Sequence, residues 1–490
     1  MGVISGDGVP VSGLLTIFRN VVDLGQELDL VEVPVPAELG YSWRPDKPGY
    51  FPDGPPEPES GEFLVDLAMV SRPVTDAIRA APEWTWIRNA VARADELDAS
   101  EQDLLRQRID RLAAPYQDYF ERWMSSADVD WICAVNMTLS DAVPVTTALH
   151  RAAAVHYGRR RSGGVLFWDH DLFESCAIYE DGQRLYPDRP NAFTPLPDDL
   201  PRHRWAVVSD PLAAEAARYP TMARPRVVPN ILPRIPAGPL EDRHHEFLAQ
   251  QGLSPDRPLL LNPVRVFRVK GVEIALDVLA GARSAGRDHD LPTPALLVFG
   301  SLTEDPPYAD QVVARAESLD LGRDLRFLGG VPLRSHRDPE GRWHLDEIDL
   351  LRLAVAGGGG VVFTPNTTDV ETVGLGPALA AVAGLPCVTT PYEAFLPAYG
   401  EDFRTICIRG AELDAHRAGR ALVEAMRSAR SGAGPYAEVL RTNRQIIEQR
   451  FPIGPWSDLL KELEVDSGPV QSGPVDENGS ETHYSGGSPT

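Results

Sequence analysis

Two patterns that would assign this 490-residue chain at once are missing. There is no GxxxxGK(S/T) phosphate loop, and no GxGxxG lies between a strand and a helix with an acid about 20 residues further on. The first absence excludes a P-loop enzyme; the second leaves a dinucleotide fold without direct support. Cysteine is scarce: Cys133, Cys176, Cys387 and Cys407 show no CxxC spacing and no histidines at zinc spacing, and read as free thiols of a reducing compartment. No run of about 18 apolar residues is present, so no helix is expected to span a bilayer. The start, MGVISGDGVPVSGLLTIFRN, lacks the basic and long apolar parts of a secretory signal, and Gly6 breaks the myristoylation pattern. A cytoplasmic protein is expected. Positive charge is also short: 47 Lys and Arg face 71 Asp and Glu, a net charge of −24. That balance repels nucleic acid and anionic lipid, so neither is expected as a partner, and an anionic ligand would need a local basic site.

What is present is ordinary for a globular chain, with 43% hydrophobic and 24% charged residues. The length exceeds one compact core and implies two domains with extra segments. LLTIFRNVV (14–22) reads as a strand and LDLVEVPV (28–35) as a second apolar run. A Pro- and Gly-rich loop follows, and then a helical insertion over 64–125. Strands are expected at 131–135, 164–168, 205–209 and 226–230, with helices between them. The second half alternates more cleanly. It has strands at 258–264, 295–301, 325–330, 361–365 and 386–390, helices at 272–286, 310–321 and 376–384, and a polar insert near 333–349. This alternation predicts an α/β protein of two doubly wound Rossmann-like domains, 1–235 and 236–450, facing each other across a cleft. A closing segment (451–465) and a disordered Gly-, Ser- and Pro-rich tail (466–490) complete it.

Candidate chemistry sits in two strand-end loops of the second half. In NPVRVFRVKGVEIALDVLAGA (262–282), Arg265 and Lys270, with Arg268 between them, lie where a buried strand ends and a helix begins. Cations beside free helix amides suit a diphosphate, with Arg as a fork and Lys as a point charge. A solvated basic loop is the plain alternative. In TPNTTDVETVGLGPALAAVAGLPCVTTPYEAF (364–395), Glu371 precedes Gly374-Leu375-Gly376 at a helix start. The glycines admit close backbone approach, and the carboxylate can hold sugar hydroxyls; a helix-entry acid is the plain alternative.

The order R-x4-K-G, followed about 100 residues later by E-x-x-G-L and a distal G-L-P, resembles the retaining GT-B glycosyltransferases of family 4. The resemblance covers roughly 205–455, with weaker agreement back to about 164. It implies a GT-B fold, a nucleotide-sugar donor (UDP-, GDP- or ADP-linked), transfer with retention and no metal or other cofactor. Arg265 and Lys270 would bind the donor diphosphate, and Glu371 the transferred sugar. The donor-binding stretch Thr372, Val373, Gly374 and Leu375 would offer amides to phosphate or sugar. His170, at the end of VLFWDHDLFES (165–175), resembles the family's strand-end histidine near the transferred sugar; a structural histidine is its plain alternative. The pattern's second glutamate, expected to hold ribose, is Leu379 here, and the family's Gly-rich loop after the first strand is not recognisable.

The acceptor is expected to be a small soluble molecule. A sugar phosphorylase on the same fold and a non-catalytic binding or scaffold protein remain as alternatives. The 44–125 region either covers the acceptor site or makes a homodimer contact. His244-His245 and His336…His344 lack the converging acids of a metal site, and the aromatics from Trp84 to Trp123 have the spacing of helix packing.

Overall fold

The computed structural model describes residues 1–6, 13–40, 43, 64–66, 77–139, 142–160, 162–180, 183–200, 202–288, 292–366, 371–409, 412–432 and 434–467. The expected Pro-rich loop, apart from Trp43, and the expected disordered tail (466–490), apart from Asp466 and Ser467, which end a helix, lie outside these residues.

The first half comprises β1 (Gly2–Ser5), α1 (Gly13–Glu27), β2 (Val35–Glu38), β3 (Leu64–Asp66), α2 (Ala77–Ala92), α3 (Ala99–Ala127), β4 (Trp131–Val135) and α4 (Val143–Arg160). It continues with β5 (Gly164–Asp169), a small hairpin of β6 (Tyr179–Glu180) and β7 (Gln183–Arg184), β8 (His203–Val207), α5 (Asp210–Ala216) and β9 (Arg226–Val227). After α6 (Asp242–Gln250) the second half runs β10 (Leu259–Asn262), α7 (Val272–Asp288), β11 (Ala295–Val298), α8 (Pro306–Ser318), β12 (Leu325–Phe327), the hairpin β13 (His336–Arg337) and β14 (Trp343–His344), and α9 (Glu347–Ala356). It ends with β15 (Gly360–Phe363), α10 (Gly376–Ala383), β16 (Cys387–Thr389), α11 (Phe395–Tyr399), β17 (Ile406–Cys407), α12 (Glu412–Ser431), α13 (Pro435–Arg450) and α14 (Gly454–Ser467).

Two all-parallel sheets result, ordered β3-β2-β1-β4-β5-β8-β9 and β12-β11-β10-β15-β16-β17. Both reverse direction once, between β1 and β4 and between β10 and β15. In such sheets the crevice at the carboxyl ends beside the reversal is where ligands bind. The strands there are apolar on both faces because helices cover both sides: every residue of β4, β5, β10, β11 and β15 is buried.

Helix α1 corrects one expectation. LLTIFRNVV lies inside it rather than in a strand, and the first strand is GVIS at the amino terminus. The helix buries Leu15, Ile17, Phe18, Arg19, Asn20, Val21, Val22, Leu24 and Gly25, most of its circumference. Thr16, Asn20, Asp23 and Glu27 recur at helical spacing, but the β-branched and aromatic residues packed between them, Ile17, Phe18, Val21 and Val22, carry strand propensity that outweighs this period over so short a run. Two smaller corrections follow. Residues 64–66 form a strand rather than opening the helical insertion, and the polar insert holds the β13–β14 hairpin and the start of α9.

Helix α1 also joins the two halves. Arg19, fully buried, donates Nη1 to Leu333 O at 3.0 Å, Asn20 Nδ2 donates to Ile231 O at 2.8 Å, and Arg334 pairs with Asp23. The last helix returns to the first sheet. Trp456 Nε1 donates to Pro229 O at 3.1 Å, Trp131 Nε1 donates to Leu463 O at 2.9 Å, and Trp168 meets Trp456 edge-on at 4.8 Å. Of the aromatics between 84 and 123, Trp84, Tyr116, Tyr119, Phe120 and Trp123 are core residues, while Trp86 sits outside under Arg108. Among the described residues no helix is long and apolar enough to cross a membrane.

Candidate active site

A cavity of about 490 Å³ separates the two sheets and is lined from both domains. On the second-domain side, Asn262 at the end of β10 donates Nδ2 to Val362 O of β15 at 2.7 Å, tying the two strands where the order reverses. The chain then passes through a 3-10 turn at Arg268–Lys270 to Gly271, whose φ is +58°. A Cβ on Gly271 would lie 2.1 Å from Thr364 O, so only glycine lets the loop after β10 press against the loop after β15. That approach brings Lys270 Nζ to 2.5 Å from Glu371 Oε1, joining side chains about 100 positions apart. Arg265 stands beside them, with Nε 3.4 Å from Glu304 Oε2 and its guanidinium 4.7 Å from the centre of the Phe267 ring. Glu304, nearly fully buried, also accepts Ser301 N at 2.7 Å; burial pushes its carboxyl up and Arg265 pulls it back. Arg268 does not join the cluster: it reaches α8, over Tyr308 and to Gln311 Oε1 at 3.1 Å.

The residues after Glu371 form a tight turn. Gly374 has φ +68°, and Gly376 packs where a Cβ would strike the Phe363 ring at 2.5 Å. Tyr399 donates its hydroxyl to Gly374 O at 2.5 Å, and the Tyr392 hydroxyl lies 3.1 Å from the same oxygen and 3.2 Å from Val373 O. Because the peptide is planar and trans, carbonyls drawn toward the tyrosines turn the Gly374 and Leu375 N–H groups the opposite way. Thr372, Val373, Gly374 and Leu375 all line the cavity.

The first-domain side is built at the end of β5. His170 is buried, and its Nε2 lies 3.0 Å from Asn230 Oδ1. Asn136, which follows β4 with φ +52°, accepts the His170 and Asp171 N–H groups on Oδ1 at 2.6 and 3.3 Å and donates Nδ2 to Asp171 Oδ2 at 2.9 Å. Asp171 therefore faces the second domain. Burial raises its pKa, its hydrogen bond from Asn136 lowers it, and Lys270 and Glu371 act on it from across the cavity. Behind it, burial pushes Asp169 up to about 7 although it accepts Trp205 Nε1 at 2.8 Å and Thr138 N at 3.3 Å.

The structure thus brings together Arg265, Lys270, Glu371, Thr372, Val373, Gly374 and Leu375, and sets His170 opposite them. It adds residues not singled out from sequence: Asn136, Glu304, Tyr392 and Tyr399, all of which position others. Asn136 carried a faint signal, a polar residue directly after a buried strand; the tyrosines carried none. Gly6 and Gly13, on either side of residues 7–12, which are outside the described ones, line the cavity. Leu379 is buried and lines the cavity. Glu347, also on the wall, lies 4.0 Å from Arg19 Nη2; burial pushes its carboxyl up to about 7 while Arg19 pulls it down.

Among the described residues no group of three or more His, Cys, Asp or Glu side chains gathers as a metal site would require. His244 is buried with Nε2 3.0 Å from Asp349 Oδ1, and His336 stacks on His344 in the hairpin at 5.4 Å.

No family model matches the sequence, and no curated protein matches it either. Solved structures do match in shape. WaaG, a glycosyltransferase involved in lipopolysaccharide biosynthesis, shares 15% identity over 96% of this chain and 100% of its own, with a TM-score of 0.51. Anabaena HepE, solved in complex with UDP and glucose, shares 12% identity over 94% of this chain and 98% of its own, also with a TM-score of 0.51. The fold is GT-B. Both domains of this GT-B chain present the carboxyl ends of their reversal strands to the shared cavity.

Proposed function

We propose that this chain is a metal-independent glycosyltransferase. It takes a sugar from a UDP-, GDP- or ADP-linked donor and passes it to the hydroxyl of a small soluble acceptor, with retention of anomeric configuration. The observation that carries this reading is the Lys270–Glu371 pair, placed at the strand-order reversal with Arg265 beside it and His170 opposite. Arg265 and Lys270 meet the diphosphate, and the amides of Gly374 and Leu375 add donors without adding mobile charge. Glu371, with Thr372 and Val373, holds the transferred sugar. Transfer breaks the bond from C1 to the diphosphate oxygen, and the electron pair leaves on that oxygen. The acceptor oxygen bonds to C1 on the same face, and its proton passes to the departing phosphate. Cations already in place where this charge grows lower the barrier. His170, held by Asn230 and the Asn136 clamp, positions hydroxyls at the reacting face. Anabaena HepE, with UDP and glucose bound, supports a donor of this class.

A screen of nucleotide sugars by mass, with donor hydrolysis as readout, tests the reading. Consumption of one donor is expected. Failure to consume any, alongside phosphorolysis of a sugar with inorganic phosphate, would replace it with a phosphorylase.

A further inference from the structure

The second-domain wall of the cavity continues past Arg265 to a carboxylate that the proposed reaction has not used. Gly300 lies so close to Arg265 that a Cβ on it would stand 2.7 Å from the Arg265 Cα, and Gly330 N donates to Phe299 O at 2.9 Å. Phe299, Gly300 and Val331 thus carry the lining from Arg265 toward Glu347, the first residue of α9 after its cap Asp346. Leu379, also on the lining, offers no acceptor of its own.

Glu347 has acceptor capacity to spare. Among the described residues its carboxylate accepts no hydrogen bond, and its partner is Arg19 of the first domain, with Nη2 4.0 Å away. Arg19 spends its donors elsewhere, on Leu333 O and Asn20 Oδ1 at 3.0 Å each. Only 13% of the Glu347 side chain is exposed, and the residue lines the cavity. A carboxylate withdrawn from water without donors costs free energy until a ligand supplies them. Burial raises its pKa for the same reason. Glu371, further along this wall, is already engaged by Lys270.

We propose that Glu347 holds the ribose of the nucleotide donor, accepting its 2′- and 3′-hydroxyls on the two carboxylate oxygens. This rests on the donor reading above. In a donor whose diphosphate sits on Arg265 and Lys270, the ribose is the next unit, and the wall leading to Glu347 is the surface it meets. A vicinal diol presents two donors side by side, which match the two oxygens of a carboxylate, and bonds to a charged acceptor are the stronger kind.

Calorimetric titration with UDP, GDP and ADP, each beside its 2′-deoxy counterpart, tests the assignment. The nucleotide that binds should do so about tenfold or more tighter than its 2′-deoxy form. Glu347→Ala should shrink that ratio to about twofold or less, and Glu347→Gln, which keeps one acceptor oxygen and the shape of the side chain, should leave it between the two. Arg19 keeps Leu333 O and Asn20 in both variants, so the joint between the domains survives. Equal affinity for the two forms in the unaltered protein overturns the proposal, as does a ratio that both variants leave unchanged. A loss in the variants that is confined to guanine nucleotides and equal for both forms also overturns it, and assigns Glu347 to the base. Binding of no nucleotide overturns the donor reading and takes this proposal with it; binding without the ribose dependence overturns this proposal alone.

Discussion

The two domains share one topology but place different functional groups at the cavity between them. At the reversal of the second sheet, Lys270 and Glu371 meet at 2.5 Å, Arg265 stands alongside, and a turn with two glycines follows. At the reversal of the first sheet, the described wall mixes apolar side chains with Ser5, Thr16, Asn20 and Asn230, and Asn136 holds His170 and Asp171. The common topology fixes where a ligand can sit, and the side chains at the strand ends decide which ligand. The wall with Arg265 and Lys270 suits a diphosphate.

The largest expected effect breaks the charged wall. Lys270→Ala removes a preorganised cation and leaves Glu371 without this partner; turnover should fall by about a hundredfold or more in a donor-consumption assay. Near-normal turnover would remove Lys270 from the mechanism. Next comes Gly271→Ala. Its Cβ would overlap Thr364 O, so the two loops must part, and the structure should lose about 1–3 kcal/mol and bind nucleotide more weakly. Thermal unfolding with and without nucleotide measures both.

The sheets, and the loops that carry Arg265, Lys270 and Glu371, were legible in the sequence because buried parallel strands are short apolar runs and their polar ends stand out. Helix α1 was not, since Ile17, Phe18, Val21 and Val22 favour a strand over the helical spacing of Thr16, Asn20, Asp23 and Glu27, and Gly2–Ser5 is too brief to announce a strand. The supporting residues were hidden for another reason. Tyr392 and Tyr399 reach Gly374 across 18 and 25 positions, and Asn136 reaches Asp171 across 35, separations that only the folded chain closes.

Smaller effects sharpen the comparison. Glu304→Gln leaves Arg265 without its buried counter-charge, and kcat/KM should fall about tenfold through weaker donor binding, read from a nucleotide titration. Asn136→Ala loosens His170 and Asp171 on the other wall. It should lower acceptor-dependent transfer more than donor hydrolysis, which parallel assays would show. The smallest effect concerns pH. Glu347 has its pKa raised from 4.5 to about 7 in the folded protein. The folded state therefore holds this proton more tightly than the unfolded one, and stability falls as pH rises from about 4.5 to about 7, then levels. Glu347→Gln should flatten that fall without abolishing it, because Asp169, raised from 3.8 to about 7, acts with the same sign. Unfolding midpoints across pH 4–8 measure the slope.

The most direct test of the account is calorimetric titration of the protein and its Lys270→Ala variant with UDP, GDP and ADP. The account predicts saturable binding of one nucleotide, weakened about tenfold or more in the variant. Binding of none, or binding that the variant leaves unchanged, would contradict it.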